Sequence, residues 1–217
     1  MTRVECLNLA LAKLGVGLVV SMGDATLPAS QFGGILYQPT LDRVLRDFPW
    51  CFAEREIALA LTGESPENAH WAFTYLLPED CARVVAIKGA TEETNQDRFR
   101  RQGRKLHCNE SQAVLVYITN KIEPDDMDPD FRDAFVTLLA SELAGPVIQD
   151  PRLAATLLEH YETVARPKAE RNDGRENASR ENAGIAVSIA RSPLIRRRFA
   201  GMEPRAVQGY GDLPMPD

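Results

Sequence analysis

The side chains of this chain that could do chemistry are few and scattered. His70, His107 and His160 fall in a turn, a strand-like stretch and a late helical stretch, so none has a second ligand at metal-binding spacing. Glu123, Asp125, Asp126, Asp128 and Asp130 form a dense carboxylate run of the kind that attracts calcium. Pro124 and Pro129 interrupt it, and the turn glycine of an EF-hand loop is missing. A solvated connection ending in a helix cap accounts for the same residues. Glu64 beside Ser65 sets an acid next to a hydroxyl, but acid-base work needs groups oriented at reacting distance, and adjacency in sequence supplies no such geometry. Cys6, Cys51, Cys81 and Cys108 are far apart, which favours reduced, mostly buried thiols over a disulfide framework or a zinc site. The expectation is a protein with no catalytic residues, no metal and no cofactor.

The best-defined element around these groups is Leu41 to Ala53, LDRVLRDFPWCFA. Leu41, Val44, Leu45 and Phe48 recur at helical spacing, with Asp42, Arg43, Arg46 and Asp47 between them, so one face packs and the other meets water. Pro49 cannot continue the hydrogen-bond ladder and biases Phe48 away from helical geometry, which turns Trp50 and Phe52 across the bundle. Phe48, Pro49, Trp50 and Phe52, together with Tyr75 and Tyr117, are therefore read as structural anchors, packed in the core or at a subunit interface.

Along the rest of the chain, Val4, Leu7, Leu11 and Leu14 mark a short first helix stopped by Gly15 and Gly17. A second helix begins near Pro28, and Gly33, Gly34 and Pro39 interrupt its first half and predict a bend or an uneven helix before the Leu41 to Phe48 segment. Residues 54 to 70 are mixed, with a turn at Gly63 to Pro66. Phe73 and Tyr75 then alternate, Arg83 to Ile87 reads as a strand, residues 89 to 97 as a polar loop, Lys105 to Cys108 as a short strand and Val114 to Thr119 as a firm one. Asp128-Pro129 opens a helix faced by Phe131, Phe135, Leu138 and Leu139, and Gly145-Pro146 closes it. Asp150-Pro151 opens another, faced by Leu153, Leu157, Tyr161 and Val164, until Pro167 interrupts. The fold class is mainly α with a small inserted antiparallel β-sheet: a helical-bundle body over 1–183, with its β region around 72–119, and an extended C-terminal arm over 184–217.

At 217 residues and 44% hydrophobic, the chain can bury a conventional core. No apolar run approaches the roughly 20 residues that cross a bilayer, and Arg3, Glu5 and Asn8 replace a leader, so a soluble, non-secreted protein with no membrane partner is expected. The formal charge is −6, with Arg191, Arg196, Arg197, Arg198 and Arg205 concentrated in the tail. The body reads as a poor candidate for wrapping phosphates, whereas the tail suits either DNA or an acidic protein surface.

Several segments, taken in order, carry a family likeness: the Leu7 to Leu14 helix; Tyr37 with Asp42 and Leu45; Phe48-Pro49-Trp50 and Phe52-Ala53; Tyr75-Leu76-Leu77-Pro78 with Asp80-Cys81; Arg83-Val84; Leu115-Val116-Tyr117-Ile118; and Phe131 with Leu138 to Ala144. In this order the chain resembles the tail tubular protein A family of podoviruses, the adaptor or gatekeeper proteins of the phage head-to-tail junction, across much of residues 1 to 180. The resemblance implies a structural virion protein, made in the host cytoplasm and assembled as a homo-oligomeric ring of twelve subunits. It implies the portal protein on one side, the tail nozzle protein on the other, and genome DNA passing through the channel. In the arm, Ile185, Val187 and Ile189 alternate as an added strand would, and Leu194 and Ile195 offer an apolar anchor beside Arg196, Arg197 and Arg198. Portal docking is the expectation for these residues, with a disordered basic tail or a DNA contact as the alternatives. A non-catalytic DNA- or protein-binding module and a small hydrolase remain the other functional classes.

Overall fold

The computed structural model describes residues 1–64, 66, 70–88 and 99–176. Met1–Gly174 forms one compact unit; of the second, Arg175–Asp217, only residues 175 and 176 are described. The expected docking residues Ile185, Val187, Ile189, Leu194, Ile195, Arg196, Arg197 and Arg198, and the polar loop at 89–97, lie outside the described residues.

Helix α1 spans Arg3–Leu14. Thr2 and Glu5 close a reciprocal capping box at its start, and Gly15, at φ 70°, ends it in the left-handed conformation that glycine adopts without steric cost. Helix α2 spans Pro28–Asp47, with its proline at the first turn where no N–H is missed. Helical backbone runs on through Gly33, Gly34 and Pro39, where a bend or an uneven helix is expected. The glycines are contact positions instead: a Cβ on Gly33 would stand 2.4 Å from Leu7 Cδ2, and one on Gly34 would stand 3.1 Å from the Gly23 backbone. Their missing side chains let α1 and the 16–27 connection close onto α2.

Between the helices lie six strands: β1 Glu54–Ala58, β2 Phe73–Leu76, β3 Cys81–Lys88, β4 Phe99–Gln102, β5 Lys105–Cys108 and β6 Val114–Thr119. They make two three-stranded antiparallel sheets, ordered β1-β6-β3 and β2-β5-β4, where the sequence suggests one. The two strands that sequence reading misses, β1 (EREIA) and β4 (FRRQ), are edge strands with mostly exposed side chains. An edge strand needs no buried face of its own, so its alternation is faint. Pairing with β6 (Ile57 opposite Leu115) and with β5 (Arg101 opposite Leu106) sets both strands in place.

Helix α3, Pro129–Leu143, starts on an Asp128 cap that accepts from the Asp130 and Phe131 amides. It does not stop at Gly145-Pro146: a π turn over Ala144–Ile148 carries the chain past them to Gln149, which reverses it at φ 54°. Helix α4, Pro151–His160, starts on the Asp150 cap and passes through a second π turn, Tyr161–Ala165, after which helical backbone continues across Pro167 through 174. Each wide turn falls at or just before a proline, where it relieves the clash of the ring with the carbonyl four residues back.

Two cores result. Leu7, Leu11, Leu41, Leu45, Phe131 and Leu138 belong to the helical one, and Tyr75, Leu106, Leu115 and Tyr117 to the one under the sheets. The protein is thus a helical body with a small antiparallel β region in the middle of the chain and two helices near its C-terminus.

Candidate functional site

The residues expected to act as anchors meet at the C-terminal end of α2. A helix leaves its last four carbonyls without intrahelical partners, and here Phe48 swings to φ −139°, ψ 152° ahead of Pro49, so the next amide is lost to the ladder. Trp50 fills that gap: its Nε1–H donates to the Val44 carbonyl at 2.9 Å, and the side chain is 1% exposed. Arg83 of β3 donates to the Arg46 and Asp47 carbonyls, each at 3.1 Å, which joins the end of α2 to the sheet. The indole meets Phe48 and Phe131 edge-on at centroid distances of 5.0 and 4.9 Å, and Phe52 also stacks edge-on against Phe131 at 4.7 Å.

The last helical segment is tied to the same place. Tyr161 donates its hydroxyl to Asp47 Oδ2 at 3.2 Å, and burial beside that carboxylate pushes the phenol well above its usual range. Asp173 accepts from the Cys51 amide at 3.0 Å, capping the short turn at Cys51–Ala53. Lys168 donates to Asp130 at 2.6 Å and Asn172 adds a second bond, which holds the Asp130 carboxyl below its ordinary range. Sequence reading finds Trp50 but neither Arg83 nor Asp173, because their partners lie 36 to 122 positions away in the chain.

Tyr75 and Tyr117 sit in the other core. Tyr75 donates to the Glu110 carbonyl at 2.6 Å, while Tyr117 and Thr119 both reach Asp80 Oδ2, at 3.4 and 2.7 Å. All these anchors are held by packing and by satisfied polar groups, and the arrangement transmits position between helices and sheets.

The groups with chemical potential do not converge. His107 is buried opposite Thr74 in the β2–β5 register, its Nδ1 3.1 Å from the Thr74 hydroxyl, whereas His70 and His160 are exposed on separate elements. The carboxylate run is spent in separate pairs: Glu123 with Arg3 at 2.9 Å, Asp125 with the N-terminal amine, Asp128 as a cap and Asp130 with Lys168. Among the described residues no group of three or more His, Cys, Asp or Glu side chains could hold a metal ion. All four cysteines are free, and burial pushes the Cys6, Cys81 and Cys108 thiols up. Glu64 pairs with Lys105, and Ser65 lies outside the described residues. Among the described residues no helix is long and apolar enough to cross a membrane.

Two surface features stand out. Large apolar side chains are exposed at several places: Leu18, Val20, Leu27 and Ile35 on or before α2, Ile57, Leu61 and Leu76 on or beside the sheets, Leu9 on α1 and Val164 in the last helical segment; Val20 is 96% exposed. The other feature is the β4–β5 hairpin, FRRQGRKLHC, which carries Arg100, Arg101, Arg104 and Lys105 and no acidic residue. Gly103, at φ 61°, makes its two-residue turn of the kind that suits hairpin twist. The outer face of this sheet bears a cavity of about 440 Å³ lined by Thr74, Gln102, Arg104, Lys105, His107 and Glu64. The hairpin's cationic run is plain in the sequence once the net charge is read segment by segment rather than over the whole body. No family model matches the chain, and no curated protein matches it either.

Proposed function

We propose that this chain is a structural adaptor that assembles head to tail into a ring at the head-to-tail junction of a tailed phage, between the portal and the tail nozzle. The observation that carries the reading is that large apolar side chains are exposed at different places on the subunit, among them Val20 and Ile35 on or before α2 and Ile57 and Leu76 on the strands. A ring built from one repeated contact needs two different, complementary surfaces on each subunit, whereas a two-fold dimer needs one. The body supports it as well. The end of α2 and the Phe48 to Phe52 segment after it join α2 to β3 and to the last helical segment, which suits a part whose work is to hold geometry.

In this reading twelve subunits continue the DNA channel, residues 185–205 attach the ring to the portal, and the role is mechanical and not catalytic. The direct test is to mix the purified protein with the portal protein of the same genome, then measure mass under native conditions and image the product. A closed ring on the portal is the expected result. A chain that stays monomeric and unbound at micromolar concentration would remove the adaptor reading and leave a non-catalytic DNA- or protein-binding module.

A further inference from the structure

We infer that the β4–β5 hairpin is a binding surface for the phosphate backbone of double-stranded DNA. The formal charge of the chain is −6, yet Phe99 to Asn109 holds Arg100, Arg101, Arg104 and Lys105 with no acidic residue among them. All four cations are exposed. Such a local reversal of sign has an electrostatic cost that a plain solvated strand does not need, and it gives the polyanion a landing place on an otherwise repelling surface.

The register sets Arg100 and Lys105 on one face of the hairpin, Arg101, opposite Leu106, on the other, and Arg104 in the turn. Arg100 stands opposite His107, and His107 opposite Thr74, so an arginine, an imidazole and a hydroxyl cross the sheet in one row. Gln102 stands opposite Lys105 in the next row on the same face, since side chains two apart share a face. Arginine forks, a lysine and an amide are side chains that donate to phosphate oxygens, and those of Arg100, Gln102, Arg104 and Lys105 are exposed, whereas Thr74 and His107 are buried and bonded to each other. Arg101 donates its Nε–H to the Gly103 carbonyl at 3.1 Å and is thereby held over the turn. Among the described residues Glu79 reaches toward Arg104 at 3.6 Å and Glu64 toward Lys105, and both carboxylates are largely exposed and screened. A high density of fixed phosphates outcompetes such partners. An acidic protein surface presents sparser charge, and DNA is therefore the favoured occupant. The inference stands on the hairpin alone and does not depend on ring assembly.

The test uses the full chain and a fluorescently labelled 20-base-pair duplex, with anisotropy measured across a salt series. Replacing Arg100, Arg104 and Lys105 together by glutamine should weaken binding at low salt by about tenfold or more and flatten the log K against log salt slope by about 2.7. The same triple change at Arg196, Arg197 and Arg198 removes equal charge from the tail, and should leave the hairpin's share of the slope in place. Glu64→Gln, which removes one carboxylate charge beside Lys105, should tighten binding about twofold, a gain that misfolding cannot mimic. Wild-type affinity and slope in the hairpin variant would overturn the inference. So would displacement of the duplex by polyglutamate at the same charge concentration as by unlabelled DNA, because the partner would then be an acidic protein surface.

Discussion

Replacing Trp50 by alanine separates the two tasks this residue performs, filling the helical core and closing the end of α2. The side chain is 1% exposed and meets Phe48 and Phe131 at centroid distances of 5.0 and 4.9 Å, so its loss leaves a cavity walled by rigid rings that cannot collapse into it. Large-to-small changes of this kind cost about 3 to 5 kcal/mol. Part of that comes from the Val44 carbonyl, which loses its 2.9 Å indole donor inside the core, a penalty of about 1 to 3 kcal/mol for an unsatisfied buried group. Trp50→Phe keeps most of the aromatic contact and loses the donor, so it should fall at about 1 to 3 kcal/mol and resolve the two contributions. For a body of this size 1 kcal/mol moves the melting temperature by about 2 to 4 °C, which places the alanine variant about 6 to 20 °C below wild type. Urea titration of both variants, followed by tryptophan-independent circular dichroism, measures the free energies directly. An alanine variant with unchanged midpoint and unchanged slope would refute the core and cap assignment together.

Three further outcomes are expected. Gly33→Ala, which in an open helix would stabilise by up to about 1 kcal/mol, should instead destabilise by about 1 to 3 kcal/mol, because its Cβ would meet the fully buried Leu7 side chain at 2.4 Å; a raised melting temperature would show that α1 can yield. Burial, and then the neighbouring Glu56 charge, hold the Glu54 carboxyl above its ordinary range, so the folded state binds that proton more tightly than the unfolded chain. The stability linked to it is present below the unfolded value near about 4.3 and is lost as pH rises through the folded one. Glu54→Gln should accordingly gain stability at pH 7 and lose the advantage at pH 4, and an equal difference at both values by thermal melts would rule the linkage out. With four free cysteines, and with Glu123 and Asp130 each paired with a cation, chelator or reductant should leave the melting temperature unchanged; a drop with either would reveal a metal or a disulfide that stabilises the native state.

Much of this protein is written in local patterns. Thr2 with Glu5, Asp128 with Pro129 and Asp150 with Pro151 start their helices by hydrogen bonds that span three residues, and Gly15 ends α1 by its own backbone freedom. The alternation at Val114 to Thr119 and the Phe48-Pro49-Trp50 turn are likewise local, so period and proline chemistry suffice to read them. Contacts between distant segments are another matter. That β1 pairs with β6, that Arg83 and Asp173 complete the caps around Trp50, and that Gly33 is a contact and not a break all depend on partners tens of positions away. An edge strand or a π turn at a proline has no periodicity of its own, and only the packed neighbour supplies the free energy that selects it. The cationic hairpin belongs to both levels: its charges are in the sequence, but the placing of Arg100 and Lys105 on one face and Arg101 on the other comes from strand register, which tertiary pairing alone decides.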